Sequence, residues 1–138
     1  MLRSLSSLCL AALTAGSLLG CKKDCATPQP SCYSGTVVAT TCMLGVLVDV
    51  DPAYRIGARA VSIVGNRFLG DNVVAVVNST SLGNLGQVGQ QLHFTYTKTP
   101  APTTPTMTCL AADGTTTPVP FVTLSNLSTV SCDSVRAK

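Results

Sequence analysis

Glutamate and tryptophan are absent from all 138 residues of this chain, and His93 is its single histidine. General acid–base work usually draws on histidine or on paired carboxylates, and the whole acidic complement here is six aspartates. A cluster of nucleophile, base and orienting group has almost nothing to be built from. No enzymatic activity and no catalytic residue is therefore expected. Zinc fares no better, because no Cys-x-x-Cys pair exists and His93 has no second histidine to work with; no metal and no cofactor is expected. Charged residues are scarce, at 11% with a formal net charge of +3, and the one pair of adjacent bases is Lys22-Lys23. Binding of nucleic acid needs basic residues and stacking aromatics, so it too is excluded. The apolar stretch Leu5–Leu19 has fifteen residues and is interrupted by Ser6, Ser7, Thr14 and Ser17. A spanning helix needs roughly 20 apolar residues, so this one is too short and too polar to stay in a bilayer.

What is present begins with the same stretch. It follows the basic start Met1-Leu2-Arg3 and closes on Leu18-Leu19-Gly20-Cys21. A basic start, a short apolar run and a small residue before cysteine resemble a bacterial lipoprotein signal peptide with its lipobox. Leu19 is bulkier than the residue most often preferred in its slot. The resemblance implies that residues 1–20 are removed and that Cys21 becomes the lipidated first residue, holding the protein to a membrane. Lys22 stands where an aspartate is associated with inner-membrane retention in enteric bacteria, so the outer membrane of the cell envelope is the expected location. Residues 21–34, with Pro28 and Pro30, read as a lipidated tether, residues 35–127 as one domain and residues 128–138 as a C-terminal tail. Loss of the leader leaves 118 residues, enough for one core. Eight Lys/Arg then face six Asp, a formal balance of +2.

Cysteine usage agrees with export. With Cys9 in the leader and Cys21 lipidated, Cys25, Cys32, Cys42, Cys109 and Cys132 remain. Spaced cysteines in a small exported domain usually form disulfides, and five leave at least one thiol over. Many connectivities are open. The bridge expected here joins Cys42, ending the first predicted strand, to Cys109 inside a later one. Cys32 and Cys132 flank the domain as the next pair, and Cys25 in the tether is the odd one out.

The mature chain reads as β-structure almost throughout. Gly35–Cys42 and Val46–Val50 are rich in β-branched residues and suggest a hairpin turned at Gly45. Further strands are expected at Ala60–Val64, Val73–Val77, Gln91–Thr97, Thr106–Ala112 and Phe121–Leu127. In Gln91–Thr97 a period of two sets Leu92, Phe94 and Tyr96 against the face carrying His93. Ser79–Leu85, capped by Asn78 or Ser79, is the one helical candidate. The expected fold is all-β, a small barrel of about 5–7 short strands, with Val37, Val48, Ile63, Val76, Leu92, Phe94, Tyr96, Phe121 and Leu124 in its core. A hairpin, a third strand, a short connecting segment and two more strands resemble an OB-like barrel with an added strand. The phrase Val88-Gly89-Gln90-Gln91-Leu92-His93-Phe94-Thr95-Tyr96 is similar to one in small OB-like domains of Gram-negative envelope lipoproteins. That resemblance covers residues 35–127 and implies no catalytic residue.

Other features have plain explanations. Gly83, Gly86 and Gly89 are three apart, the wrong spacing for a phosphate cradle, and suit a tight loop folded back on the barrel. Asp49 and Asp51 read as a solvated strand end before Asp51-Pro52, and His93 as a surface residue. Pro100, Pro102 and Pro105 make Thr99–Thr106 an extended, stiff connection. The glycosylation-like triplets Asn78-Ser79-Thr80, Asn126-Leu127-Ser128 and Asp133-Ser134-Val135 are short enough to arise by chance. The function expected from all this is that of a non-catalytic binding or accessory module, lipid-anchored in the envelope and contacting a protein or glycan there. The alternative is a periplasmic enzyme inhibitor presenting the Ala53-Tyr54-Arg55 turn.

Overall fold

The computed structural model describes residues 32–102, 109–110 and 112–131. The leader, Cys21, Cys25, Cys132 and the Asp133-Ser134-Val135 triplet lie outside them. Six strands carry the fold: β1 (Tyr33–Thr41), β2 (Gly45–Val50), β3 (Ala58–Val61), β4 (Phe68–Val76), β5 (Gln91–Lys98) and β6 (Phe121–Ser128). A 3-10 segment, Ser79–Gly86, joins β4 to β5 and is kinked at Gly83, whose φ is +52°. Asn78 precedes it but does not cap it with its side chain. The Asn78 amide instead bridges to β6, donating to Leu124 O at 2.9 Å and accepting from Leu124 N–H at 3.0 Å.

β1 and β2 form an antiparallel hairpin from Gly35↔Val50 to Thr41↔Gly45, with an irregularity between Val37 and Ala39. β2 pairs antiparallel with β4, β4 runs parallel to β6, and β6 and β5 pair antiparallel. β5 returns to β1, Tyr33 opposite Phe94. The circuit β1-β2-β4-β6-β5-β1 is therefore closed, and closure removes sheet edges. With β3 set aside, the five barrel strands follow the order 1-2-3-5-4-1 with one parallel pair, the connectivity of an OB-like barrel. β3 is the addition, paired to the first half of β4.

The barrel interior holds Val37, Val48, Val76, Leu92, Phe94 and Leu124, all buried as their alternation predicts. Tyr33 is buried with them, its ring centroid 4.9 Å from that of Tyr96, 5.4 Å from Tyr54 and 6.2 Å from Phe94. The barrel thus begins two residues earlier than expected. Burial, followed by the neighbouring Tyr96, pushes the Tyr33 phenol above its ordinary value.

Three core expectations are corrected. Ile63 is exposed, because β3 ends at Val61 and the chain then turns through Gly65 and Asn66, both at positive φ. Tyr96 and Phe121 are only half-buried. Of the expected strand Thr106–Ala112, the described residues Cys109, Leu110 and Ala112 belong to no strand.

A second apolar layer lies outside the barrel. Val46, Val48 and Val50 of β2 point inward, whereas Leu47 points outward into a cluster with Ala39, Ala60, Leu69, Val73, Ala75 and Val119. β3 and the approach to β6 therefore cover the outer surface of β1, β2 and β4.

Candidate functional site: the loop end of the barrel

β1 delivers the chain to a tight turn, Cys42–Leu44, beside the end of β4 and the connection between β5 and β6 (residues 99–120). A disulfide joins Cys42 in the turn to Cys109 in the connection, with the two Cα atoms 5.7 Å apart. This is the bridge expected from the sequence, but it runs from loop to loop, since Cys109 is not in a strand. Cys32 is also disulfide-bonded. Its expected partner, Cys132, lies outside the described residues.

Hydrogen bonds reinforce the same junction. The Asp113 carboxylate accepts the backbone N–H groups of Cys42 at 2.7 Å and Met43 at 3.1 Å. Thr41 Oγ1 accepts the N–H of Leu44 at 3.0 Å. The turn's three donors are thus satisfied without water. Beyond Asp113 the connection runs beside β3. Ile63 N–H donates to Gly114 O at 3.0 Å, Thr116 N–H to Val61 O at 2.9 Å and the Thr117 hydroxyl to Arg59 O at 2.7 Å. One long loop is in this way fastened to the β1–β2 turn and to the added strand.

Two hollows open on either side of this junction. One, of about 360 Å³, lies between the turn, Val76, Val77, Ser79, Pro102 and Phe121. The other, of about 320 Å³, lies between the turn, Ile63 and the residues 113–119. They share Met43, Leu44 and Phe121. Among the described residues Asp113 is the one charged side chain lining either, and both its oxygens are engaged by backbone N–H groups. Eight large apolar side chains are exposed among the described residues, and Met43, Leu110, Ile63, Val64 and Val77 belong to this end or adjoin it. These side chains gather at one end of the barrel instead of scattering over its surface.

The other candidates lie away from this end, and of them Asp49 and Asp51 line one hollow with Ser34 and Gln91, while Asp51 and Tyr54 share a turn. His93 is on the polar outer side of β5, opposite Ser34 of β1 and Ser128 of β6. Asp51 builds a turn, its Oδ1 accepting Ala53 N–H at 2.9 Å and its carbonyl accepting Tyr54 N–H at 3.0 Å. Tyr54, the expected tip of an inhibitory loop, spends its ring on Tyr33. Gly83 and Gly89 take positive φ in the folded-back loop, and Leu82 there is buried. No group of His, Cys, Asp or Glu among the described residues is arranged to hold a metal.

Sequence reasoning missed Asn72. It is the one buried polar residue among those described, and its Oδ1 accepts N–H groups of Ile56 at 3.1 Å and Gly57 at 2.7 Å. Its Nδ2 has two protons and three acceptors around it, Val50 O and Asp51 O, each at 3.1 Å, and Tyr54 O, so that one proton is shared. A Cβ at Gly57 would collide with the Asn72 backbone, and one at Gly70 with the Asp49 carboxylate. The signal was there in those two glycines and in an asparagine within an apolar strand, where it is disfavoured.

Asp49 is half-buried over Gly70 and accepts Asn72 N–H at 3.1 Å. Burial, with Asp71 adding to it, raises its carboxyl above the ordinary value of 3.8, while the Asn72 bond opposes the shift. Between 3.8 and the raised folded value, the folded chain keeps a proton that the unfolded chain has lost. Stability from this group therefore declines as pH rises through that window. Asp49→Asn keeps an acceptor for Asn72 without the charge. It is expected to be at least as stable as the parent at pH 7 and to lack this acid-side gain. Urea midpoints of both proteins across that window and at neutrality test this, and a less stable variant at neutral pH refutes it.

No family model, no curated protein and no solved structure matches this chain.

Proposed function

We propose that this protein is a non-catalytic binding module, held in the bacterial envelope by lipid on Cys21, whose loop end receives a protein partner. The observation that carries the reading is a charge-poor apolar surface on loops that a disulfide and Asp113 fix in place. Loops held in one geometry lose little entropy on binding, which favours affinity. Position supports it too. A tether entering at Cys32 meets the start of β1, and the nine residues of β1 carry the turn roughly 30 Å away from that point. The loop end of a membrane-anchored chain is thus held clear of the point where the tether enters. OB domains take oligosaccharides and oligonucleotides on the face of the second and third barrel strands and on the loops between strands 1–2 and 4–5, which in this fold are the Cys42–Leu44 turn and the β5–β6 connection. Here the strand face lies under β3 and Val119 and the loops remain, where exposed Met43, Ile63 and Leu110 suit an apolar protein surface better than a glycan, which is bound through polar groups.

Photo-crosslinking in the native envelope tests the proposal. A photoreactive residue at Met43 is expected to give discrete adducts, and the same residue at His93 to give none. Equal labelling from both positions, or none from Met43, refutes it. Mass spectrometry of the mature N-terminus tests the anchor separately, the expected result being an acylated Cys21. An unmodified Cys21, or cleavage at another bond, refutes that half.

A further inference from the structure

We infer that the occupant of the loop end is a second copy of this chain, joined through a two-fold contact in which Leu110 of each copy enters the hollow beside Met43 and Phe121 of the other. This rests on the reading of the loop end as the binding surface and names the partner. Two observations carry it. The first is that projection and recess occur on the same patch. Leu110 is fully exposed next to the Cys42–Cys109 bridge, and the hollows on either side of the turn are lined by Met43, Leu44 and Phe121. A surface carrying both a knob and a hole is what an isologous contact requires, because each copy must supply what the other receives. The second is charge. Across a two-fold axis every charge near the axis meets its own like, which costs affinity unless the patch is neutral. Among the described residues the linings of both hollows hold no charged side chain except Asp113, and that carboxylate is turned to the Cys42 and Met43 N–H groups.

The anchor does not prevent such a contact. Residues 21 to 32 span at most roughly 36–40 Å when extended, more than the length of β1. Two tethered copies can therefore meet loop end to loop end while lying along one membrane. Confinement to a surface raises their local concentration, so a contact that is weak in solution suffices.

The experiment uses the full chain in its own envelope, expressed as two differently tagged copies with a photoreactive residue at position 110. The expected product has twice the mass of the chain and carries both tags, with the crosslink mapped to the partner copy at or beside Met43 or Phe121. Leu110→Asp, assayed with the photoreactive residue at Met43, is expected to lower the yield of doubly tagged product about tenfold or more, because a buried apolar contact is exchanged for a charge that must be desolvated. Its thermal unfolding should match the parent's, since Leu110 is fully exposed within one chain. Crosslinks from both positions to a different protein overturn the dimer and leave the binding surface standing. Absence of any adduct from either position overturns both. A doubly tagged product that is unchanged by Leu110→Asp, or mapped to another face, overturns the dimer.

Discussion

Replacing Asn72 with leucine is expected to destabilise the fold by about 3–5 kcal/mol. The two side chains are similar in size, so no large cavity opens, and the loss is that of hydrogen bonds. Asn72 serves two backbone donors, at Ile56 and Gly57, and three backbone acceptors, at Val50, Asp51 and Tyr54. An unsatisfied buried group costs about 1–3 kcal/mol, and part of the set regains water because Asp51 is exposed and the residues 54–57 are not all buried. The side chain acts as the internal template of the β2–β3 connection, which has no regular structure of its own between Asp51 and Gly57. Urea unfolding measures the effect. Asn72→Asp should be destabilised as well at neutral pH, because a carboxylate there meets the carbonyls of Val50, Asp51 and Tyr54 with no proton to offer. An Asn72→Leu midpoint equal to the parent's would contradict this account.

The parts of this fold that were legible in the sequence are those set by short-range alternation. β1, β2 and β5 declare themselves through β-branched residues and a period of two, and Phe94 and Leu92 fall inside for that reason. Val61-Ser62-Ile63-Val64 looks equally strand-like, yet Gly65 and Asn66 at positive φ end the pairing at Val61 and leave Ile63 outside. β4 shows the converse. Gly70, Asp71 and Asn72 hide its first half from a propensity reading, although Gly70 is required there by the Asp49 carboxylate and Asn72 by the connection it organises. The unbroken apolar run Val46-Leu47-Val48 was a usable sign that β2 is buried on both faces, as the second cluster around Leu47 shows. The loop end was legible only through its cysteines. Its hollows arise from the meeting of segments about seventy positions apart, Cys42 with Asp113 above all, and no local pattern encodes such a meeting.

Removal of the Cys42–Cys109 bridge by Cys42→Ala with Cys109→Ala is expected to lower stability by about 4 kcal/mol, the chain-entropy figure for a loop of 67 residues. The loss arises in the unfolded chain, which gains freedom when the crosslink goes. In urea the midpoint should fall while the slope m rises, because the uncrosslinked unfolded chain exposes more surface. The folded turn should survive the change. Asp113 still holds the N–H groups of Cys42 and Met43, and Thr41 still holds that of Leu44, so the β1–β2 hairpin keeps its closing geometry. The first part of the β5–β6 connection, by contrast, loses its covalent tie to the barrel, whereas residues 114–117 remain bonded to β3. The double variant should therefore fold at low temperature and keep the parent's β-rich far-UV spectrum, yet give weaker crosslinking from Met43 because Leu110 is no longer held beside the turn. Adding Asp113→Ala to the pair should then remove what remains of the junction, with a further drop in the urea midpoint. Equal midpoints for the parent and the double variant would show that the bridge contributes nothing to stability. Full retention of crosslinking would show that the loop end does not depend on being fixed.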